Sequence, residues 1–429
     1  MPTKPELLEV RDLKVHFPLR GGIFDRLAGR DAGSVRAVDG VSFTLKAGEV
    51  LGVVGESGSG KTTLGRAIVG MAPVTGGTMR FEGDDLVSLR GNERRAARRR
   101  LQMVFQDPHA SLNPSMDMLT AIGHPLRIHG VTKDAAEIKR RVSETLERVG
   151  LSPVDRFLYK FPADLSGGQK QRAVIARAII LGPALLVADE PVSMLDMSVR
   201  AKILQLMIDL RDDLDLAYVY ITHDLASAKF FCDRIAIMYL GRIVEIGPPS
   251  QIYDDPRHPY TRALLEAIPD PGVRREVPRD LPRGEVPDAA APPLGCSFHP
   301  RCPHAFAPCG WESRDLRTLL DDRWAGQAEE VYERERALLG ELTVLDRAAT
   351  RASIPAGRGH SGDDVNGLLE RVRAADPTEP FWRGVERIDV RSSEAEVGFR
   401  TGVDPQLVRS GEAEVACHLY DEYAPLAAE

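Results

Sequence analysis

The chain has 429 residues, a length that suggests two or three domains with ample material for a large core. Its formal net charge of −7 argues against a surface built mainly to bind nucleic acid. Residues 1–10 lack a basic-then-apolar signal pattern, and the most apolar stretch, residues 173–188, carries Arg177 and a Gly182-Pro183 break, so it reads as a buried helix followed by a strand and not as a membrane span. A soluble, cytosolic chain is expected, with any membrane role exerted through partners.

Taken in chain order, residues 7–17 and 35–45 mix alternating apolar and polar positions with β-branched residues across a Gly-rich connector at 21–34. They predict antiparallel strands of a β-subdomain. Phe17 is the aromatic candidate for stacking on a nucleobase, and a core phenylalanine is an equal alternative. Next, an apolar β-branched run at 50–54 leads into Gly55-Glu56-Ser57-Gly58-Ser59-Gly60-Lys61-Thr62-Thr63 and then a helix-like segment at 64–71. This strand–loop–helix order predicts a phosphate-binding loop: the glycines let successive N–H groups point inward, Lys61 reaches the β- and γ-phosphates, and Thr62 holds Mg²⁺. Residues 77–82 read as a short strand. The five arginines within 94–100 read as a solvated helix face in preference to a phosphate patch.

A compact strand at 101–105 ends at Gln106, stopped by Asp107-Pro108, which leaves this side chain at the carboxyl end of a strand where ligands of open α/β sheets gather. Leu165-Ser166-Gly167-Gly168-Gln169 precedes a predicted helix over 170–181, a second anion site at a helix start. The apolar strand 184–188 ends in Asp189 and Glu190, the first placed to bind Mg²⁺ and the second to polarise a water for attack on a γ-phosphate. A third strand, 217–222, ends at His223-Asp224.

Together and in this order, these motifs resemble the nucleotide-binding subunit of an ATP-binding cassette (ABC) transporter over residues 6–250. The resemblance identifies 55–63 as Walker A, Gln106 as the Q-loop, 165–169 as the signature, 185–190 as Walker B, 193–196 as the D-loop and His223 as the switch histidine. Met194 stands where the D-loop usually has Ala, and Asp196 is retained. The resemblance implies an α/β P-loop fold with an antiparallel β-subdomain and a helical signature subdomain. It also implies head-to-tail pairing of two ATPase domains, with Ser166, Gly167, Gly168, Gln169 and Asp196 acting across the dimer. Glu190, His223, Gln106 and Lys61 are the catalytic candidates, ATP the ligand, and Thr62, Gln106 and Asp189 the Mg²⁺ ligands. The runs at 104–114, 125–130, 239–247 and 253–265 resemble the oligopeptide/dipeptide importer ATPases, with the second of the two paired ATPases the nearer match; nickel importers share much of this pattern. The expected partners are a second homologous ATPase, two transmembrane permeases and an extracytoplasmic peptide-binding protein, with the chain on the cytoplasmic face of the membrane. A DNA-repair or chromosome-type ATPase would share the signature but should show long heptads, tandem motif sets or a basic face.

The expected organisation is a nucleotide-binding domain at 1–265, a Pro/Gly-rich linker at 266–294 and a C-terminal cysteine module at 295–429. Cys296, Cys302, Cys309 and, far downstream, Cys417 lie beyond the linker, whereas Cys232 sits in an apolar helix and reads as core. Four thiolates suit Zn²⁺ or an Fe–S cluster equally by chemistry, and His299, His304 and His418 can substitute in a Cys₃His zinc site. The resemblance to the importer ATPases favours a [4Fe-4S] cluster on the four cysteines, with zinc and free thiols as the alternatives. About a hundred residues separate Cys309 from Cys417, where the family has a short loop. This insert, 313–410, is expected as a partly ordered surface extension, with helix-like runs at 327–347 and 365–374.

Overall fold

A computed structural model of the protein describes residues 5–19, 33–267 and 284–428. Most of the expected 21–34 connector and the 268–283 portion of the linker lie outside the described residues. The chain divides into two compact units, Met1–Ile252 and Tyr253–Glu429.

The first unit contains β1 (Glu6–Pro18), β2 (Ser34–Lys46), β3 (Val50–Val54), β4 (Gly76–Phe81), β5 (Asp84–Asp85), β6 (Leu101–Val104), β7 (Leu185–Asp189), β8 (Ala217–Thr222), β9 (Arg234–Tyr239) and β10 (Arg242–Gly247). β1 pairs antiparallel with β2 and β4 in a sheet ordered β2-β1-β4-β5, which is the expected β-subdomain. The other strands run β10-β9-β3-β8-β7-β6, parallel from β9 to β6 and antiparallel only at β10. Every residue of β3, β7 and β8 is buried, as expected of a parallel sheet covered on both faces, where strands read as continuous apolar runs.

The helix Lys61–Ile68 packs on this sheet at Gly65, where an added Cβ would lie 2.6 Å from Ile221 Cδ1 and 2.9 Å from Val187 Cγ1. Helices Met118–Ile128, Ala135–Arg148 and Gly167–Ile179 pack against one another as the helical subdomain. Ile138, Val142 and Leu146, at helical spacing, are its buried stripe. The Gly91–Arg100 helix buries none of its residues, in keeping with a solvated arginine face. Among the described residues no helix is long and apolar enough to cross a membrane.

The second unit corrects the expectation of a partly ordered extension. After Trp311 the chain forms helices Ser313–Ala325 and Glu329–Ala337, then β11 (Arg351–Pro355), a helix Gly362–Ala375, and the hairpin β12 (Val385–Arg391) and β13 (Glu394–Phe399). These strands make an antiparallel sheet ordered β11-β13-β12, followed by a small hairpin of β14 (Val408–Ser410) and β15 (Ala413–Val415). Leu316, Leu320, Ile354, Val365, Leu368 and Val397 are each no more than 1% exposed, so this region has its own core. The helix expected over 327–347 is only Glu329–Ala337, because Leu339 bridges to Ala356 and the chain turns toward the sheet.

Candidate functional site

The phosphate loop is shaped by close backbone approach. A Cβ on Gly60, whose φ is +98°, would lie 1.9 Å from the Ala37 carbonyl oxygen; one on Gly55 would lie 2.1 Å from that of Met238. Gly60 also caps the Lys61–Ile68 helix without a side-chain hydrogen bond, which leaves the positive end of the helix to an anion. Lys61, only 6% exposed, donates to the carbonyls of Gly55 at 2.8 Å and Glu56 at 2.7 Å and to Ser59 Oγ at 3.3 Å. Burial pulls its ammonium below the usual lysine range, against the opposing charges of Glu190, Asp189 and Glu56. The folded loop therefore holds a poorly solvated cation whose hydrogen bonds a phosphate can replace.

Four strand ends converge on this loop. Thr62 Oγ1 donates to Asp189 Oδ1 at 3.0 Å, so two hard oxygen donors sit side by side, a fit to Mg²⁺. Burial raises the Asp189 carboxyl above its ordinary range, with the Thr62 hydrogen bond working against it. Glu190, next in sequence, adopts a left-handed φ of 46°, and its carboxylate meets two other motif residues. Its Oε2 accepts from Gln106 Nε2 at 3.0 Å, and its Oε1 lies 3.0 Å from His223 Nδ1. The four predicted catalytic side chains thus meet around one carboxylate and one ammonium.

The signature forms a second, separate arrangement. Ser166 Oγ accepts from the Gln169 N–H while Gln169 Oε1 accepts from the Ser166 N–H, a reciprocal capping box at the start of helix Gly167–Ile179. The glycines belong to the helix, three residues earlier than the expected start. A Cβ on Gly168 would lie 2.6 Å from Val199 Cγ1, so the signature packs on the helix that follows the D-loop. Asp196 caps that helix, accepting from the Val199 N–H at 3.0 Å and from Ser198 Oγ at 2.9 Å, and these hydrogen bonds hold its carboxyl below the usual range. Phe17 is 39% exposed on β1, which removes the core alternative. Arg200 carries no motif of its own, yet it pairs with Asp224 at 3.1 Å and so ties the D-loop helix to the residue after His223. Its place four residues after Asp196 is the one signal available in the sequence.

Cys232 is buried against Gly52, as the core reading expects. The metal expectation at the other cysteines is not supported: among the described residues no group of three or more His, Cys, Asp and Glu side chains is arranged to hold an ion. The four thiols nonetheless share one neighbourhood. Burial pushes the Cys309 thiol up, and the charges of Cys296, Cys302 and Cys417 push in the same direction; burial and then Cys296 raise Cys417 to about 12. His299 and His418 are engaged elsewhere, with Asp315 at 3.1 Å and with Asp421 at 2.6 Å, which disfavours the Cys₃His alternative.

Comparison with known proteins agrees with this geometry. The family model described as "ABC transporter" matches residues 38–193, and that described as "Oligopeptide/dipeptide transporter, C-terminal region" matches residues 244–309. The oligopeptide transport ATP-binding protein AppF of Bacillus subtilis is 45% identical over 306 residues, 71% of this chain and 91% of the relative. OppF of Escherichia coli, of the same description, is 44% identical over 305 residues, 71% of this chain and 90% of its own. Among solved structures, cbiO1 from Clostridium perfringens, part of the ABC transporter complex cbiONQ, superposes with a TM-score of 0.50 at 25% identity, over 59% of this chain and 92% of that one. With its Walker A, Q-loop, Walker B and switch residues gathered and its likeness extending over nine-tenths of each of these two curated relatives, the chain belongs to the ATP-binding proteins of the oligopeptide ABC transporter family.

Proposed function

We propose that this protein hydrolyses ATP to drive import of short peptides through a membrane ABC transporter. The observation that carries the reading is the convergence of Gln106 and His223 on Glu190, beside the buried Lys61. Lys61 and the glycine loop bind and orient the β- and γ-phosphates, and Phe17 stacks on the base. Thr62, Gln106 and Asp189 would hold Mg²⁺, which supplies charge neutralisation on the phosphates. Glu190 takes a proton from the attacking water, while Gln106 and His223 fix its carboxylate and the water's position. Ser166, Gly167, Gly168, Gln169 and Asp196 serve the nucleotide of a partner ATPase, a role supported by the likeness to the ABC transporter family.

A cavity of about 1010 Å³ beside the Q-loop, lined by Phe105, Met116, Ile128 and Arg94, is the proposed seat of a permease segment. The chain then works as a peripheral subunit at the cytoplasmic face of the membrane, with a homologous ATPase, two permeases and an external peptide-binding protein. Nucleotide chemistry is assigned to residues 1–265 and the cysteine module to 295–429. Within that module Cys296, Cys302, Cys309 and Cys417 would hold a [4Fe-4S] cluster, a reading favoured by their shared neighbourhood; such a cluster would cross-link segments far apart in sequence.

The test is isolation of a Glu190→Gln variant with ATP from gently solubilised membranes of the native host. Recovery of two multi-span permeases and a second ATPase is the expected result. Recovery with soluble proteins or nucleic acid alone would overturn the transport reading. Iron and sulfide analysis of anaerobically purified protein decides the cluster, with their absence refuting it.

A further inference from the structure

The second unit encloses a cavity of about 810 Å³ that the nucleotide chemistry does not use. One wall is aromatic: Trp311 and Phe381 meet edge to face at 5.8 Å between ring centroids, and Phe381 and Trp382 at 5.1 Å. The lining carries seven carboxylates (Glu285, Asp288, Glu312, Asp315, Asp322, Asp376, Glu379) against three guanidiniums (Arg301, Arg314, Arg323). Of these cations, Arg314 is bound to Glu312 Oε1 at 2.7 Å and to the carbonyls of Ala291 and Pro292, and Arg323 to Glu335. The cavity therefore presents a negative field beside apolar rings, the combination that attracts an organic cation.

Three lining residues also carry a buried polar atom that lacks a hydrogen-bond partner: Glu312 Oε2, Trp311 Nε1 and Trp382 Nε1. These residues are 2%, 4% and 6% exposed. Leaving such groups unsatisfied is costly, and buried polar groups are normally paired. The carboxylate oxygen calls for a donor and the indole N–H groups for acceptors. Burial raises the Glu312 carboxyl above its usual range, a cost that a cation at this oxygen would relieve.

We propose that this cavity binds small molecules bearing a primary ammonium next to a carbonyl and an apolar substituent, the chemistry shared by the amino terminus of a short peptide and by free amino acids. The ammonium donates to Glu312, the carbonyl accepts from the Trp382 Nε1–H, because the Trp311 pyrrole edge is packed on Gly384, and the substituent lies against Phe381 and Trp382. This assignment does not rest on the peptide-import reading and is tested apart from it.

All three tryptophans of the chain lie at 311, 324 and 382, so intrinsic fluorescence reports on this region. The full-length protein is titrated with Leu-Leu, leucine amide, leucine and N-acetyl-Leu-Leu, followed by fluorescence and calorimetry. Saturable binding of the free amines is expected, with the acetylated peptide at least about tenfold weaker. Tighter binding of Leu-Leu than of leucine identifies peptides as the source, and the reverse identifies amino acids. Glu312→Gln, read by calorimetry, should weaken binding about 10- to 100-fold, the loss of one charge-assisted hydrogen bond. Trp382→Phe should weaken it less, and an unchanged circular dichroism spectrum and unfolding transition in both variants report that the second unit remains folded. No saturable signal up to ~10 mM, a limit for weak specific binding, would overturn the proposal. So would equal affinity for N-acetyl-Leu-Leu, or undiminished affinity in Glu312→Gln.

Discussion

At the scale of single residues, Glu190 is where Gln106 and His223 converge, and under the proposed role its loss separates binding from turnover. Glu190→Gln keeps the shape that Gln106 and His223 pack against, so nucleotide binding should persist while phosphate release falls about 10²- to 10⁴-fold. Turnover at the parental rate would remove Glu190 from its role. Thr62→Val makes a different prediction. It strips the hydroxyl from a carboxylate only 3% exposed, so thermal unfolding without nucleotide should show a loss of about 1–3 kcal/mol, together with weaker Mg²⁺-dependent ATP binding. Both placements were legible in the sequence, because each motif is a short contiguous run whose spacing is set by one loop and one strand end. Arg200 was missed, since its spacing from Asp196 is a faint signal and its partnership with Asp224 depends on how a helix lies.

At the scale of elements, glycine and histidine decide how two helices sit. Gly65→Val would push methyl groups into Ile221 and Val187 and lift the phosphate-loop helix from the sheet. The expected cost is about 1–3 kcal/mol in denaturant unfolding, with weaker nucleotide binding. In the second unit His258 caps helix Pro259–Glu266, its Nδ1 accepting from the Tyr260 N–H at 3.0 Å, which requires the neutral ring. Burial, with Arg262 adding to it, depresses its pKa to about 3. Between that value and the ordinary one near 6.5 the unfolded chain binds the proton more readily, so stability falls as pH drops through this window. His258→Asn, which can cap but not titrate, should flatten that part of the stability–pH profile, worth on the order of 5 kcal/mol at its full extent. An unchanged slope would refute the assignment. The strands of the β-subdomain and the signature helix followed from alternation and capping residues. By contrast β11, β12 and β13 went unread, because β12 is largely exposed and Ala, Glu and Arg around it read as helix.

At the scale of the whole molecule, the cysteine segment and the insert share one core. Trp311 stacks edge-on with His299 on one side and Phe381 on the other, and Gly384 lies so near Trp311 that an added Cβ would sit 1.8 Å from its ring. Deleting residues 313–410 should therefore unsettle Cys296, Cys309 and Cys417. In metal-free protein these thiols are buried, and a thiol-reactive dye should label them far faster in the deletion variant while ATP binding by the first unit survives. Equal labelling would mean that the two regions are independent. The segment between Gly310 and Gly402, which holds most of the insert, also begins and ends at nearly the same place. The Val403 N–H donates to the Pro308 carbonyl at 3.0 Å, and a Cβ on Gly402 would lie 2.4 Å from Gly310 Cα. A segment whose ends already touch adds little closure entropy to the host fold, whatever its length. This junction is thus a natural port for protein engineering: the segment it closes can be lengthened, so a fluorescent domain with neighbouring termini, inserted at the exposed 392–393 turn, would turn the subunit into an optical reporter without changing its phosphate loop.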